Sequence, residues 1–229
     1  MMTRPRTPLA AGIAALAAAV YALMWVGYRQ RWAWLYRVDW SLLDGARALA
    51  IKHPSWLRFA ESVSFVLGPG ALAVLGISVT VLALVMRQLR AALVLVLACG
   101  PCNEFATAAA KALADRPRPP TMLVPAAATS FPSGHALEAT AGLLAMLSFA
   151  LPMMNVAARR IAVAPVAVAL PAVGLSRVAL NVHYPSDVLA GWSLGYLYFL
   201  VCLWVFRPPA PTVRAKALRR WAFGHGAVT

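Results

Sequence analysis

The sequence predicts an all-α, polytopic membrane protein, a bundle of six transmembrane helices with its active site at the extracytoplasmic rim. Three observations carry that prediction. Of 229 residues, 62% are hydrophobic and only 12% are charged, which is more apolar surface than one soluble core can bury. The apolar residues arrive in blocks near the roughly 20 residues that a helix needs to cross a hydrocarbon core of about 30 Å. The basic residues gather at the ends of those blocks. A very hydrophobic soluble bundle would carry polar stripes every turn, and these blocks do not.

The first block, about Leu9 to Gly27, follows Arg4 and Arg6. It is longer than the h-region of a secretory signal and runs on into Trp25 and Tyr28, so it is expected to be a retained span. From Tyr28 to Glu61 the chain places Trp32, Trp34, Tyr36, Trp40 and Trp56 among charges, a pattern of amphipathic segments lying in the interface. An anchoring aromatic belt and a substrate-gripping loop both fit it. The second and third spans, Ser62 to Met86 and Ala91 to Ala110, are joined by a short turn with Arg87 and Arg90. A second long connection, Lys111 to Pro132, holds Arg116-Pro117-Arg118-Pro119-Pro120, and proline fixes φ and ends helices, so a stiff loop is expected. Gly134 to Met154, Ile161 to Leu180 and Val188 to Phe206 complete the six, with Arg159 and Arg160 in the turn between the fourth and fifth. No repeat or second composition regime divides the chain, so residues 1–229 are expected to form one domain.

The net charge of +14 raises the possibility of a nucleic-acid binder, but charges at span ends set membrane orientation instead. The N-terminus, the two short turns and the tail (Arg207, Arg214, Lys216, Arg219, Arg220) hold eleven basic residues and no acidic one. Both termini are therefore expected in the cytoplasm, with the two long connections on the opposite face. The tail cluster would also attract anionic headgroups, at about 1 kcal/mol per basic residue.

Ionisable residues inside or beside spans are costly, about 2.5 to 3.5 kcal/mol each at mid-bilayer, and so mark sites. Three clusters qualify. Lys111 and Arg118 are separated by six residues, with Pro119 next; Pro132-Ser133-Gly134-His135 opens the fourth span; and Ser176-Arg177 is followed after five residues by His183 and after three more by Asp187. These elements, in this order and spacing, resemble the signature of the type 2 phosphatidic acid phosphatases, a family that includes glucose-6-phosphatase and the vanadium haloperoxidases. The resemblance covers residues 111–187, and the six-span layout extends it over most of the chain.

The residue chemistry agrees with what the resemblance implies. Phosphoryl transfer is mostly positioning and electrostatic stabilisation. Lys111, Arg118 and Arg177 supply fixed positive charge, and arginine adds planar bidentate donors. Ser133 and Gly134 precede a helix, whose free N–H groups form an anion seat. By resemblance, His183 attacks phosphorus to form a phosphohistidine, Asp187 holds its attacking tautomer, and His135 protonates the leaving oxygen and then activates water. The implied substrate is a lipid phosphate: undecaprenyl diphosphate, phosphatidic acid, phosphatidylglycerophosphate, or a phosphorylated lipid A or polyprenyl sugar. The implied enzyme resides in the plasma (inner) membrane, contacts the lipid bilayer and needs no cofactor.

Rival readings remain at this point. A lipid phosphotransferase would use the same motifs, and a transporter or scaffold could keep the fold without catalysis; the complete motif argues against the latter. A haloperoxidase would be soluble. His135 with Glu138 and His183 with Asp187 could ligate a metal, but three cations repel a divalent ion and attract an oxyanion, so no metal is expected. Glu138 would orient His135 or Lys111 or simply face polar protein, and Glu104 would pair with Lys111. Cys99-Gly100-Pro101-Cys102 matches a thiol-redox motif, yet its place within a span predicts a kinked helix with two small buried residues. With Cys202 also in a span, the cysteines form no disulfide framework. His53 and His225 are expected to be solvated.

Overall fold

The computed structural model describes residues 7–206. Arg4, Arg6, the basic tail and His225 lie outside the described residues. Among the described residues nine α-helices follow in order: α1 (Thr7–Arg29), α2 (Ala33–Lys52), α3 (Pro54–Val66), α4 (Pro69–Val85), α5 (Leu89–Cys99), α6 (Pro101–Ala114), α7 (Gly134–Ala150), α8 (Val156–Ala179) and α9 (Pro185–Val205). Among the described residues six stretches are long and apolar enough to cross a membrane, because α3 with α4 and α5 with α6 act as broken single spans, Pro54–Val85 and Leu89–Ala114.

Each break has a covalent cause. Gly68 and Gly100 take extended backbone at ψ 169° and −169°, as residues before proline do, and Pro69 and Pro101 then open the next helix without an N–H to satisfy. The Cys-Gly-Pro-Cys segment is thus a kink, as expected. Its burial expectation needs correction: Cys99 is half-buried but Cys102 is exposed on the outer surface, and all three cysteines are free.

Two boundaries move in ways that matter for the site. The second span begins at Pro54 rather than Ser62, since Pro54 starts a helix that continues through the charged residues Arg58 and Glu61. The third runs to Ala114 rather than Ala110, so Lys111 sits in the last turn of α6 and the loop starts at Asp115, which closes the helix in the left-handed region (φ 47°).

The aromatic connection is mostly one helix, α2. It buries Leu35, Asp39, Leu43 and Ala50, a spacing that puts one stripe against the bundle, and leaves Trp34, Tyr36 and Val38 exposed. In the bundle itself, α7 lies at the centre and packs against α4, α5, α6, α8 and α9. Its closest partner is α9, because Gly191 and Gly195 present bare backbone to α7: a Cβ on Gly191 would stand 2.6 Å from the Ser133 carbonyl. Small residues at such crossings are how membrane helices approach closely. That contact brings the head of α7 beside the first turn of α9, and Ser133 N–H donates to the Asp187 carbonyl at 2.9 Å.

Candidate active site

The three clusters come together at one end of the bundle. They sit between the last turns of α6 and α8, the 115–133 loop, the head of α7 and the α8–α9 connection.

His183 lies in that short connection and is almost wholly buried, at 2% exposure. Its Nε2 is 3.1 Å from an Arg118 terminal nitrogen. A guanidinium can only donate, so Nε2 must offer its lone pair and the ring proton must sit on Nδ1. Burial holds the imidazole pKa down to about 4, with Arg118 and Lys111 adding to the effect against the pull of Asp187. The side chain is therefore a neutral imidazole with its lone pair on Nε2.

Asp187, fully buried in the first turn of α9, approaches Nδ1 at 3.5 Å. That is longer than an ordinary direct hydrogen bond. Ser130 fills the difference: its hydroxyl donates to Asp187 Oδ2 and lies 3.5 Å from Nδ1. The same Oδ2 accepts the Tyr184 N–H at 2.9 Å, and Oδ1 accepts from Arg116 at 2.7 Å.

Apart from its contact with His183, Arg118 bonds only backbone. It donates to the carbonyls of Ala127, Ala128 and Val182 at 2.7 to 3.2 Å. Ala128 adopts φ 59°, a left-handed turn that lets two successive carbonyls face one guanidinium. Burial lowers the Arg118 pKa while Asp187 raises it, and it remains a cation at any working pH. Lys111 donates to the Thr129 carbonyl at 2.5 Å, which ties α6 to the same loop. Arg177, in the last turn of α8, donates to Ser64 of α3, and its Nε is buried without a partner.

At the head of α7, Ser133 is completely buried, its hydroxyl has no partner, and no side chain caps the helix. Free N–H groups at a helix start are suited to bind an anion. Gly134 leaves room for one: a Cβ there would meet Thr107, Glu138 and Lys111 at 3.1 to 3.7 Å. His135 is half-buried, with Nε2 facing Gly68 at the α3–α4 break, 3.4 Å from where a Cβ would stand. Ser176, the remaining motif residue, bonds the Val173 carbonyl of its own helix and takes no part in the cluster.

Two expected pairings are absent among the described residues. Glu104 is exposed and forms no ion pair with Lys111; two helical turns, about 10 Å of rise, separate them, and Lys111 reaches to the loop instead. Glu138 makes no ion pair with Lys111 either. Among the described residues no three His, Cys, Asp or Glu side chains converge as a metal-ligand set. His53 is exposed, apart from the site.

The sequence missed Arg116, Asp39, Ser130, Ser186 and Ser64. Arg116 forms ion pairs with Asp187 at 2.7 Å and with Asp39 of α2 at 2.8 Å. Two carboxylates outweigh burial and raise its pKa. The only sequence signal was an arginine two residues before Arg118, and nothing local distinguishes it from a loop charge.

Comparison with known proteins bears on the family and the fold. The family model of the PAP2 superfamily matches residues 70–209. The chain is 37% identical over 82 residues to phosphatidylglycerophosphatase B of Bacillus subtilis, covering 34% of this chain and 40% of that protein. It is 45% identical over 67 residues to decaprenylphosphoryl-5-phosphoribose phosphatase of Mycobacterium tuberculosis, covering 29% and 31%. The matches thus span less than half the length of each of these curated relatives. In fold, the chain is similar to the crystal structure of a transmembrane PAP2 type phosphatidylglycerolphosphate phosphatase from Bacillus subtilis, with a TM-score of 0.71 over 82% of this chain and 94% of that one, at 22% identity.

Proposed function

The chain belongs to the PAP2 superfamily, and from that premise we propose that it is a membrane phosphatase that hydrolyses a lipid phosphate through a phosphohistidine on His183. The single observation that carries the mechanism is the Arg118 to His183 Nε2 contact at 3.1 Å, because it requires a neutral ring with its lone pair directed into a cluster of cations and unpartnered donors. The curated relatives are named for two different phosphorylated lipids, which supports a lipid phosphate as the substrate class here.

In this mechanism the phosphate displaces Arg118 from Nε2 and takes up the donors left open: Ser133 hydroxyl, the N–H groups of α7, Arg177 Nε, Lys111 and Arg118. Nε2 attacks phosphorus as the bond to the lipid oxygen breaks, and His135 gives that oxygen its proton. Neutral His135 then takes a proton from water, whose oxygen attacks phosphorus; the P–N bond breaks and inorganic phosphate leaves. Asp187 and Ser130 keep Nδ1–H in place throughout. Preorganised cations offset the charge that a divalent metal would otherwise offset, so the reaction needs no metal.

The one domain extends over 1–229, the bundle spans the plasma (inner) membrane, and the cluster faces the extracytoplasmic side with both termini in the cytoplasm. The charge asymmetry of the sequence supports that orientation. Purified protein in detergent should release phosphate from a panel of lipid monophosphates and diphosphates with EDTA present, and vanadate should compete with substrate. His183→Ala should abolish release while vanadate binding persists. Activity that vanishes with EDTA and returns only with a divalent cation would overturn the mechanism.

A further inference from the structure

We propose that Asp39 and Arg116 are positioning residues for this reaction, and that α2, which precedes the family-matched residues, completes the site. One arm of Arg116 donates to Asp187 Oδ1 and Ser186 Oγ, both at 2.7 Å, and the other donates to Asp39 Oδ2 at 2.8 Å. Asp39 also accepts the Ser186 N–H at 2.9 Å and its hydroxyl at 2.6 Å. The guanidinium lies 3.9 Å from the Tyr184 ring centroid and 4.9 Å from that of Tyr28. None of Asp39, Arg116, Ser186 and Asp187 is more than 6% exposed. Asp39 is the sole charged residue on the buried stripe of α2.

The arrangement divides one cation between two carboxylates, and that division is the functional point. Arg116 spends one arm on Asp39, so it bonds only Oδ1 of Asp187. Oδ2 stays available for Ser130, Tyr184 N–H and the Nδ1 side of His183. The trio Asp39, Arg116 and Asp187 carries a net charge of −1, placed behind an imidazole that becomes cationic when Nε2 bonds phosphorus. Without the Asp39 charge, both arms of the fork can chelate Asp187, the trio becomes neutral, and the stabilisation of the charged ring is lost. A buried ion pair is weak evidence for stability, and a clamp that only held α2 in place would not need its second carboxylate wired to Asp187.

The kinetic arm of the test rests on the phosphatase reading; the spectroscopic arm does not. Asp39→Asn in the full chain, in micelles, should lower kcat about 10- to 100-fold, the usual effect of losing an outer orienting group. KM should stay within about two-fold, because Lys111, Arg118 and Arg177 bond other partners than α2. The chain has four histidines, so 15N-histidine NMR, with His183→Ala to assign the signal, reads the ring directly. Asp39→Asn should reduce the Nδ1–H tautomer of His183. Unchanged kcat with an unchanged tautomer would overturn the proposal while leaving the phosphatase reading intact. If the wild type releases phosphate from no lipid, the enzymatic reading falls and the NMR result alone decides the positioning role. Should Asp39→Asn fail to fold, Arg116→Gln and the double variant Asp39→Asn/Arg116→Gln replace it. Arg116→Gln alone leaves two carboxylates buried without their cation, and their repulsion should displace Asp187 and lower both kcat and the Nδ1–H population. The double variant removes that repulsion at the wild-type net charge of −1 and should recover part of both, and no recovery would refute the positioning role.

Discussion

Replacing Gly191 by alanine should separate the two helices that assemble the site, with a loss of rate larger than its loss of stability. A Cβ at Gly191 would stand 2.6 Å from the Ser133 carbonyl oxygen and 2.9 Å from Ala136 Cβ, whereas ordinary contact begins at 3.4 Å. The obstructing atoms include backbone, so rotamer changes cannot relieve the clash, and α7 and α9 must part by about 0.8 Å. Overpacking of this kind costs about 1 to 3 kcal/mol, offset by up to about 1 kcal/mol from the better helix propensity of alanine. The geometric effect is more severe. Ser133 and His135 move with α7 and Asp187 with α9, and a misplacement near 1 Å costs about 100-fold in rate. Phosphate release from mixed micelles, alongside thermal unfolding in the same detergent, should show kcat reduced 10- to 100-fold in a folded protein. Gly12→Ala, in α1 with no atom within 4 Å of the new Cβ, should stay within about two-fold of wild type. Wild-type kcat in Gly191→Ala would refute the claim that this crossing sets the site.

His135→Ala should slow hydrolysis of alkyl phosphates far more than that of an aryl phosphate with a stabilised leaving group, measured as the ratio of kcat/KM values; equal losses would remove it from the acid role. His183, held near pH 4 by burial and by Arg118 and Lys111, should place its acid limb in the kcat/KM profile near pH 4. A limb near 6.5 would contradict the buried geometry. Because the native ring takes up its proton below the unfolded value of 6.5, the unfolded chain binds more protons between those pH values, and stability should fall as pH drops through that window, by about 3 kcal/mol in total. Single cysteines at Pro120 and Arg159, in a chain lacking Cys99, Cys102 and Cys202, should divide in labelling by an impermeant maleimide on intact cells: the first reacts and the second does not. The reverse pattern would invert the proposed orientation.

What was legible in the sequence is what chain-local physics encodes. Spans are written as runs of apolar residues because lipid leaves a helix no other way to satisfy its backbone, and six emerged with their order correct. The ends were less legible: Lys111 and Asp187 lie within helices rather than in loops, since polar residues at a helix terminus look like loop residues until the hydrogen-bond ladder is seen. Lys111, Arg118, Ser133, His135, Arg177, His183 and Asp187 could be singled out because ionisable groups are rare beside spans and their spacing is fixed.

The tertiary structure alone decided who holds these residues in place. Arg116 and Asp39 are 77 residues apart, Ser130 and Asp187 57, and Arg177 and Ser64 113. No periodicity links such pairs, and Asp39 on an aromatic surface helix reads as one more interfacial charge. The expected Glu104 to Lys111 pair was a local inference and failed, because Lys111 found a closer acceptor in a loop 18 residues on. The sequence by itself determined the order of the six apolar spans and singled out the ionisable groups that gather at one end of the bundle; the approach of α9 to α7 over bare glycine backbone, and of α2 to Arg116, decided their geometry, since close packing joins atoms by distance in space and not by separation along the chain.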